Sequence, residues 1–328
     1  MKKILSNSIK ISISLIIAAV VLYFVYRDYD FSEFSSRLSE MRLGWLFAAL
    51  SFSAIGPLLR GLRWNLLLEP IGYIVPRRDT ILTVFTGYAA NIIIPRFGEI
   101  SRCAILDEYD KVPFSKSFGT LVAERFVDMI LLILIAAGTI ITQYDKFLSL
   151  FAGKADVTAE QEVIEKQPQW GLIAIIAALL LLCWWLCAKF HLWQKVVQFV
   201  KDFWAGFLSL KQVRNLPLFL IYSVGIWICY YLEMYLAFYC IDSIAAVGPI
   251  AGLVCFVSGS IAVLVPTPNG AGPWHFAITS MLVLYGVSQY DAQTFALVLH
   301  TSQTATYLLC GAIAWIALHF VRRNQPAD

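Results

Sequence analysis

The sequence predicts an all-α polytopic membrane bundle, with six full spans and two proline- and glycine-broken, re-entrant segments arranged as an inverted repeat. Three observations predict it. Of 328 residues, 59% are hydrophobic and only 14% charged, and mean hydropathy is +0.71. Soluble domains carry roughly 25% charged residues, so a soluble enzyme, a disordered chain and a nucleic-acid-binding domain are excluded. Apolar runs recur at the length of roughly 20 residues that a bilayer core demands of a helix. Two further apolar segments are each broken near the middle, and the breaks, at Pro95 and Pro266, stand 171 residues apart, about half the chain.

The elements follow in order. The run at about 8–27 comes after Lys2, Lys3 and Lys10. It resembles a signal sequence, but it ends in Tyr26-Arg27-Asp28 with no small-x-small cleavage site, so it reads as an uncleaved first span. Full spans follow at about 43–68 and 118–142, and then at about 170–189, 215–241 and 293–320. The first broken segment, about 80–107, is interrupted at Pro95-Arg96-Phe97-Gly98. Its limbs would rise about 22 and 15 Å at 1.5 Å per residue, and neither spans alone. The second, about 249–287, is interrupted from Pro266 to Pro273. Between the halves lie an acidic loop, 144–168, and an amphipathic stretch, 190–212. In the latter, apolar residues recur at helical spacing opposite Lys195, Lys201 and Lys211, which predicts a helix in the cytoplasmic interface. The chain is one transmembrane domain, 1–328, of two half-repeats, 1–143 and 169–328. Sequence identity between the halves is negligible.

Lysine and arginine counts select the topology. If both broken segments return to the face they entered, sixteen basic residues lie inside and six outside; if each crosses once, the split is twelve to ten. The positive-inside rule favours the re-entrant arrangement, with both termini cytoplasmic. The two halves then run in opposite senses, a layout in which binding sites form where discontinuous helices meet at mid-membrane.

Seven ionisable residues fall inside apolar segments: Arg96, Glu99, Arg102, Glu124, Arg125, Asp128 and Glu233. Each costs about 2.5–3.5 kcal/mol unpaired at the bilayer centre, so they must pair, protonate or line a wet cavity. Arg96, Glu99 and Arg102 recur every third residue, so Glu99 can bridge both arginines. Glu124 and Asp128 are four apart and need a cation between them, supplied in part by Arg125. This cluster reads either as a staple between helices or as a guanidinium site for a lipid phosphate, which arginine's planar fork suits. Asn91 precedes the first break.

At the second break, Thr267, Asn269, Gly270 and Gly272 allow close backbone approach. Pro273 is a good first helical residue, so a helix N-terminus favouring an anion opens there. His275 follows as a proton carrier, phosphate ligand or structural histidine. His300 lies on a polar stretch of the last span. Arg60 and Arg63 end the second span, either snorkelling to the cytoplasmic face or gathering anionic headgroups. Glu233, alone among aromatics, is either a protonatable switch or a paired carboxylate. Most of the seven cysteines sit in apolar runs as packing residues, in no metal spacing.

The chain resembles the transmembrane domain of lysylphosphatidylglycerol synthase/flippase proteins, the flippase-like integral membrane family. The stretches that carry the resemblance are Leu59-Arg60-Gly61-Leu62-Arg63-Trp64, the run from Thr86 through Asn91 and Pro95 to Glu99, Glu124-Arg125-Phe126-Val127-Asp128, and Val265 to Gly272. It implies a helical bundle in the bacterial cytoplasmic membrane that translocates a lipid. The partner would be an anionic phospholipid or a polyprenyl-linked phosphate, with no nucleic acid, metal or cofactor; a second copy of the chain is a further candidate partner. Two features depart from the family. Lysyl-transferring members carry a soluble C-terminal synthase domain, whereas here eight residues follow Phe320, so lysyl transfer is not expected. His275 stands where the family often has a glutamate. The alternatives to a translocase are a membrane-embedded enzyme acting on a lipid phosphate or polyprenyl carrier, and an accessory scaffold. No Walker loop, nucleophile elbow or HExxH motif is present.

Overall fold

A computed structural model describes residues 2–143 and 193–323. The expected span at 170–189 and the acidic loop 144–168 lie outside the described residues. Among the described residues the regular structure is helical: α1 (Lys2–Tyr26), α2 (Phe34–Glu40), α3 (Leu43–Leu68), α4 (Arg77–Ile93), α5 (Phe97–Asp110) and α6 (Phe114–Thr142), then α7 (Trp193–Leu208), α8 (Leu216–Phe238), α9 (Asp242–Ala245), α10 (Gly248–Ala262), α11 (Pro273–Leu284) and α12 (Gln289–Arg323). Four stretches are long and apolar enough to cross a membrane: Leu43–Ile71, Phe114–Thr142, Leu216–Phe238 and Gln289–Phe320. They coincide with four of the six expected spans. α1 covers another, and its apolar portion is the shorter stretch Ser14–Tyr26.

Both broken segments are helical hairpins. In the first, Ile94 leaves the helix in an extended conformation (φ −131°, ψ 117°), as a residue before proline must, and Arg96 takes a left-handed one (φ 65°) that opens α5. The limbs α4 and α5 then fold back on each other. Their contact is so close that a Cβ on Gly98 would stand 2.2 Å from the Gly87 carbonyl oxygen. The Asn91 side chain accepts the otherwise orphaned Gly98 N–H at 2.6 Å. In the second hairpin, α10 and α11 are joined by a turn in which Asn269 (φ 50°) and Gly270 (φ 75°) are both left-handed. Pro273 opens α11 as the sequence predicts.

The antiparallel pair α3 and α8 forms the spine. Ser53 meets Glu233, Gly56 faces the Tyr230 ring, Leu59 meets Gly225, and Arg63 meets Ser223, so the chains run in opposite senses. α4 packs on α3 where Gly61 leaves room for Ile81, and on α12 where Gly311 lies against Ala89. Small residues at such crossings let helix backbones approach where lipid gives no hydrophobic drive to associate. The amphipathic helix α7 docks on α6 through Gly119 against Gly206 and Phe118 against Phe203, leaving Val200, Trp204 and Leu208 exposed.

Candidate functional site

Five buried ionisable side chains meet beneath the first hairpin. α3 contributes Arg60 and Arg63, a turn apart; α6 contributes Glu124 and Asp128, also a turn apart; α5 contributes Arg102. Arg60 Nη1 donates to Glu124 Oε1 at 2.6 Å and to Asp128 Oδ2 at 2.7 Å. Arg63 Nη1 stands 2.8 Å from Asp128 Oδ1, and Arg102 Nη2 donates to Glu124 Oε2 at 3.2 Å. The Arg102 guanidinium lies over the Trp64 ring, 4.2 Å from its centroid, and the indole N–H donates to Thr120 at 2.9 Å, fixing the ring. Arg60, Arg63 and Arg102 are 3%, 0% and 2% exposed, and Glu124 and Asp128 0% and 8%.

Three guanidiniums thus face two carboxylates. A second, half-exposed pair beside them, Arg125 with Glu99 at 3.8 Å, is self-balancing. The buried cluster carries one uncompensated positive charge. Arg102 Nε and Nη1 and Arg60 Nε have no hydrogen-bond partner among the described residues.

The cluster forms one wall of a cavity of about 630 Å³ that lies between the tips of the two hairpins. Of the sequence-predicted residues, Arg60, Asn91, Arg96, Glu99, Arg102, Arg125, Asp128, Glu233, Thr267, Asn269, Gly270 and His300 line it. Thr267 lines it from the second hairpin, buried and with its hydroxyl unpartnered among the described residues. Asn269 is held by α12: its amide donates to Thr304 at 2.8 Å, and His300 Nε2 donates to its carbonyl at 3.0 Å. Glu124 and Arg63 sit behind the wall and hold the residues that form it.

Several expectations are corrected. Glu99 does not bridge Arg96 and Arg102. Arg96 lies outside the helix with a left-handed backbone, so the helical spacing does not reach it, and Arg102 turns underneath towards Glu124 and Trp64. Arg96 instead spans the gap between hairpins, donating to the Leu264 carbonyl at 2.8 Å. Arg60 and Arg63 do not snorkel; the carboxylates of α6 hold them inside the bundle. Gly272 and His275 are not on the cavity. The Gly272 N–H donates to His275 Nδ1 at 3.3 Å, and α1 covers Gly272, with the Ala18 carbonyl 3.0 Å from where its Cβ would stand. Glu233 has no ion-pair partner among the described residues; the Ser53 hydroxyl and, at 2.7 Å, the Gln303 amide both donate to its Oε1.

Sequence reasoning missed the tyrosines. Tyr88 and Tyr230 share a hydrogen bond of 2.6 Å, Tyr307 packs on Tyr88, and Arg60 Nη2 donates to Tyr230 at 3.4 Å. Nothing distinguishes them from the aromatic residues of an ordinary lipid-facing span except adjacency to Asn91, Glu233 and Gln303 at helical spacing.

Fold and site together define an integral membrane protein with a largely apolar cavity into which a net positive charge is set. The family described as lysylphosphatidylglycerol synthase TM region matches residues 11–311, and the chain belongs to it. A curated relative, the UPF0104 membrane protein MJ1595 of Methanocaldococcus jannaschii, is 22% identical over 289 residues, 80% of each chain. No solved structure matches.

Proposed function

We propose that the protein takes the anionic phosphate of a membrane lipid into the cavity between its two hairpins and translocates that lipid across the bacterial cytoplasmic membrane. The observation that carries this reading is the unbalanced buried charge: three guanidiniums against two carboxylates, with Arg102 lining the cavity and its buried Nε and Nη1 without a partner among the described residues. A buried charge without a counter-charge is costly, and a phosphodiester monoanion would complete the balance while accepting those donors. Arg102, Arg60 and Arg96 would hold the phosphate from the first half, and Thr267, Asn269 and Gly270 would close on it from the second. Glu99, Glu124, Arg125 and Asp128 set the arginine geometry. Gly272 and His275 have no direct role in this reading.

An inverted repeat with both hairpins re-entrant accounts for how a cavity comes to lie between the tips. Three observations support it. Asp128 is halfway along the 29-residue α6, so the cluster sits near mid-depth of a crossing helix. Helix packing also recurs on exchanging the halves: α4 packs on α12 as α10 does on α6, α3 on α4 as α8 on α10, α4 on α5 as α10 on α11, and α5 on α6 as α11 on α12. Cavity-lining positions repeat too. Arg96 and Thr267, Gly98 and Asn269, Asp128 and Leu299, Met129 and His300, and Leu132 and Gln303 are each 171 residues apart, like the two prolines.

Native mass spectrometry of the detergent-purified protein, followed by transport in proteoliposomes, tests the reading. Wild type should retain a phosphate-bearing lipid and move it between leaflets; Arg102→Gln should lose both while keeping its melting temperature within a few degrees. A stable Arg102→Gln protein that binds and moves lipid as wild type does overturns the assignment.

A further inference from the structure

The phosphate reading leaves Glu233 unexplained. It is a buried carboxylate, 2% exposed, in the wall of the same cavity. Its Oε1 receives two neutral donors, Ser53 and Gln303, and its Oε2 has no hydrogen-bond partner among the described residues. The groups facing the cavity around it can be taken helix by helix. α3 presents Arg60 and the neutral Ser53; α4 presents Tyr88; α5 presents Glu99 and Arg102; α6 presents Arg125 and Asp128. α12 presents His300, Gln303 and Tyr307, and α8 itself presents Tyr230. α10 presents Phe256, Gly259 and Ser260, none titratable, and the hairpin tips add Arg96 and the neutral Thr267. The arginines on this list other than Arg96 are engaged with Glu99, Glu124 and Asp128, and none is ion-paired to Glu233.

Glu233 and an incoming phosphate therefore answer to the same single excess positive charge. With the cavity empty of lipid, an ionised Glu233 is, among the described residues, the lining carboxylate left to balance the cluster at a distance. With a phosphate against Arg102, a second anion in a cavity of about 630 Å³ is surplus. Like charges brought together in a poorly solvated site favour protonation of one of them. Linkage makes the effect reciprocal, so whatever phosphate binding does to the proton affinity of the carboxylate, protonation does to phosphate affinity.

We propose that Glu233 is a proton-coupling site: the protein takes up a proton on Glu233 Oε2 as a phosphodiester headgroup enters, and releases it when the headgroup leaves. The proton comes from water and returns to water, no covalent bond of the lipid changes, and the loaded cavity carries no more net charge than the empty one. This matters for energetics, because each elementary charge moved through the membrane potential costs about 2.3 kcal/mol per 100 mV. A lipid phosphate accompanied by a proton crosses as a neutral pair. The proposal rests on the phosphate reading above.

The test is a calorimetric titration of dihexanoyl-phosphatidylglycerol into the full-length protein in dodecyl maltoside, across pH 5–9, in two buffers of different protonation enthalpy. Wild type should take up close to one proton per lipid where Glu233 is ionised in the free protein. Affinity there should tighten as pH falls, by up to about tenfold per pH unit. Glu233→Gln keeps acceptors for Ser53 and Gln303; it should take up no proton and bind at all pH values with the affinity wild type reaches at low pH. Proton uptake unchanged in Glu233→Gln, or none in a wild type that binds in an Arg102-dependent way, overturns the coupling alone. Absence of Arg102-dependent binding at every pH overturns the phosphate reading and the coupling with it. If dihexanoyl-phosphatidylethanolamine binds wild type more tightly than the glycerol lipid and Glu233→Gln removes the preference, Glu233 serves a headgroup amine and the coupling is likewise overturned.

Discussion

The two hairpin tips that line the cavity differ in their chemistry. At spacing 171, the first half sets Arg96, Glu99 and Asp128 where the second sets Thr267, Gly270 and Leu299. The first hairpin turns on one proline and is charged throughout its second limb; the second turns on prolines and glycines, and its tip has no charged side chain. The difference teaches a division of labour. Charge is concentrated on one side, where each arginine can be held by carboxylates of a neighbouring helix. The other side is a neutral, tightly turned cap anchored to α12 through Asn269. A symmetric site with arginines on both tips would hold an anion from two sides and be slow to release it. In the proposed translocation, an asymmetric one would let the neutral cap withdraw without breaking ion pairs.

The largest effect should come from breaking the charged wall at its hub. Glu124 meets Arg60, Arg63 and Arg102. Glu124→Ala leaves three buried guanidiniums with one carboxylate and should cost about 3–5 kcal/mol, the range for removing one partner of a buried ion pair. Thermal unfolding followed by size-exclusion chromatography in detergent measures it. A Glu124→Ala protein that melts with wild type would show that the cluster does not hold α3, α5 and α6 together.

The next effect compares the two tips. A Cβ on Gly98 meets the Gly87 carbonyl, which is backbone, at 2.2 Å and the Asn91 side-chain amide at 2.6 Å. Gly98→Ala should therefore part the limbs of the first hairpin, costing about 1–3 kcal/mol as overpacking does. It should also reduce lipid retention, because Arg102 would move with α5. In the second hairpin the equivalent position is Asn269, whose side chain is used rather than excluded. Asn269→Ala loses the Thr304 bond and puts alanine in a left-handed conformation, for about 1–2 kcal/mol together. Equal melting temperatures for Gly98→Ala and wild type would show that the close crossing at Gly87 is not needed for the fold.

Much of this was legible in the sequence, and what was not has physical causes. Breaks at Pro95 and at Pro266–Pro273 are covalent facts about φ and missing donors, so the hairpins could be located to within a few residues. The ionisable residues stood out because charge is rare among apolar neighbours. Their partners did not, because ion pairing depends on which helix lies opposite. Arg60 looked like a snorkelling end residue until Glu124 and Asp128 of α6 were seen against it. Arg96 failed a helical-spacing argument because a single left-handed residue removed it from the helix. Gly272 looked like an open anion site, but α1, far off in sequence, covers it. Glu233 could be read as buried, yet that its partners are the neutral Ser53 and Gln303 needed the α3–α8–α12 packing.

The smallest effect isolates backbone strain at the two tips. Arg96 (φ 65°) and Asn269 (φ 50°) are non-glycine residues in the left-handed region, and each carries a cost of about 1 kcal/mol that glycine would not. The two differ in what the side chain returns. Asn269 recovers part of that cost through Thr304, so Asn269→Gly should change stability by less than about 0.5 kcal/mol, the gain and the lost hydrogen bond nearly cancelling. Arg96 is exposed and makes one bond, to the Leu264 carbonyl across the gap, so Arg96→Gly should leave stability unchanged or raise it by up to about 1 kcal/mol. A stabilised Arg96→Gly protein with impaired lipid transport would mean that the strain at Arg96 is kept for function, as strained backbone at working sites often is. An Arg96→Gly protein that is destabilised by more than 1 kcal/mol would instead make the Arg96–Leu264 link a structural clasp between the hairpins, and the two tips would then differ in charge but not in purpose.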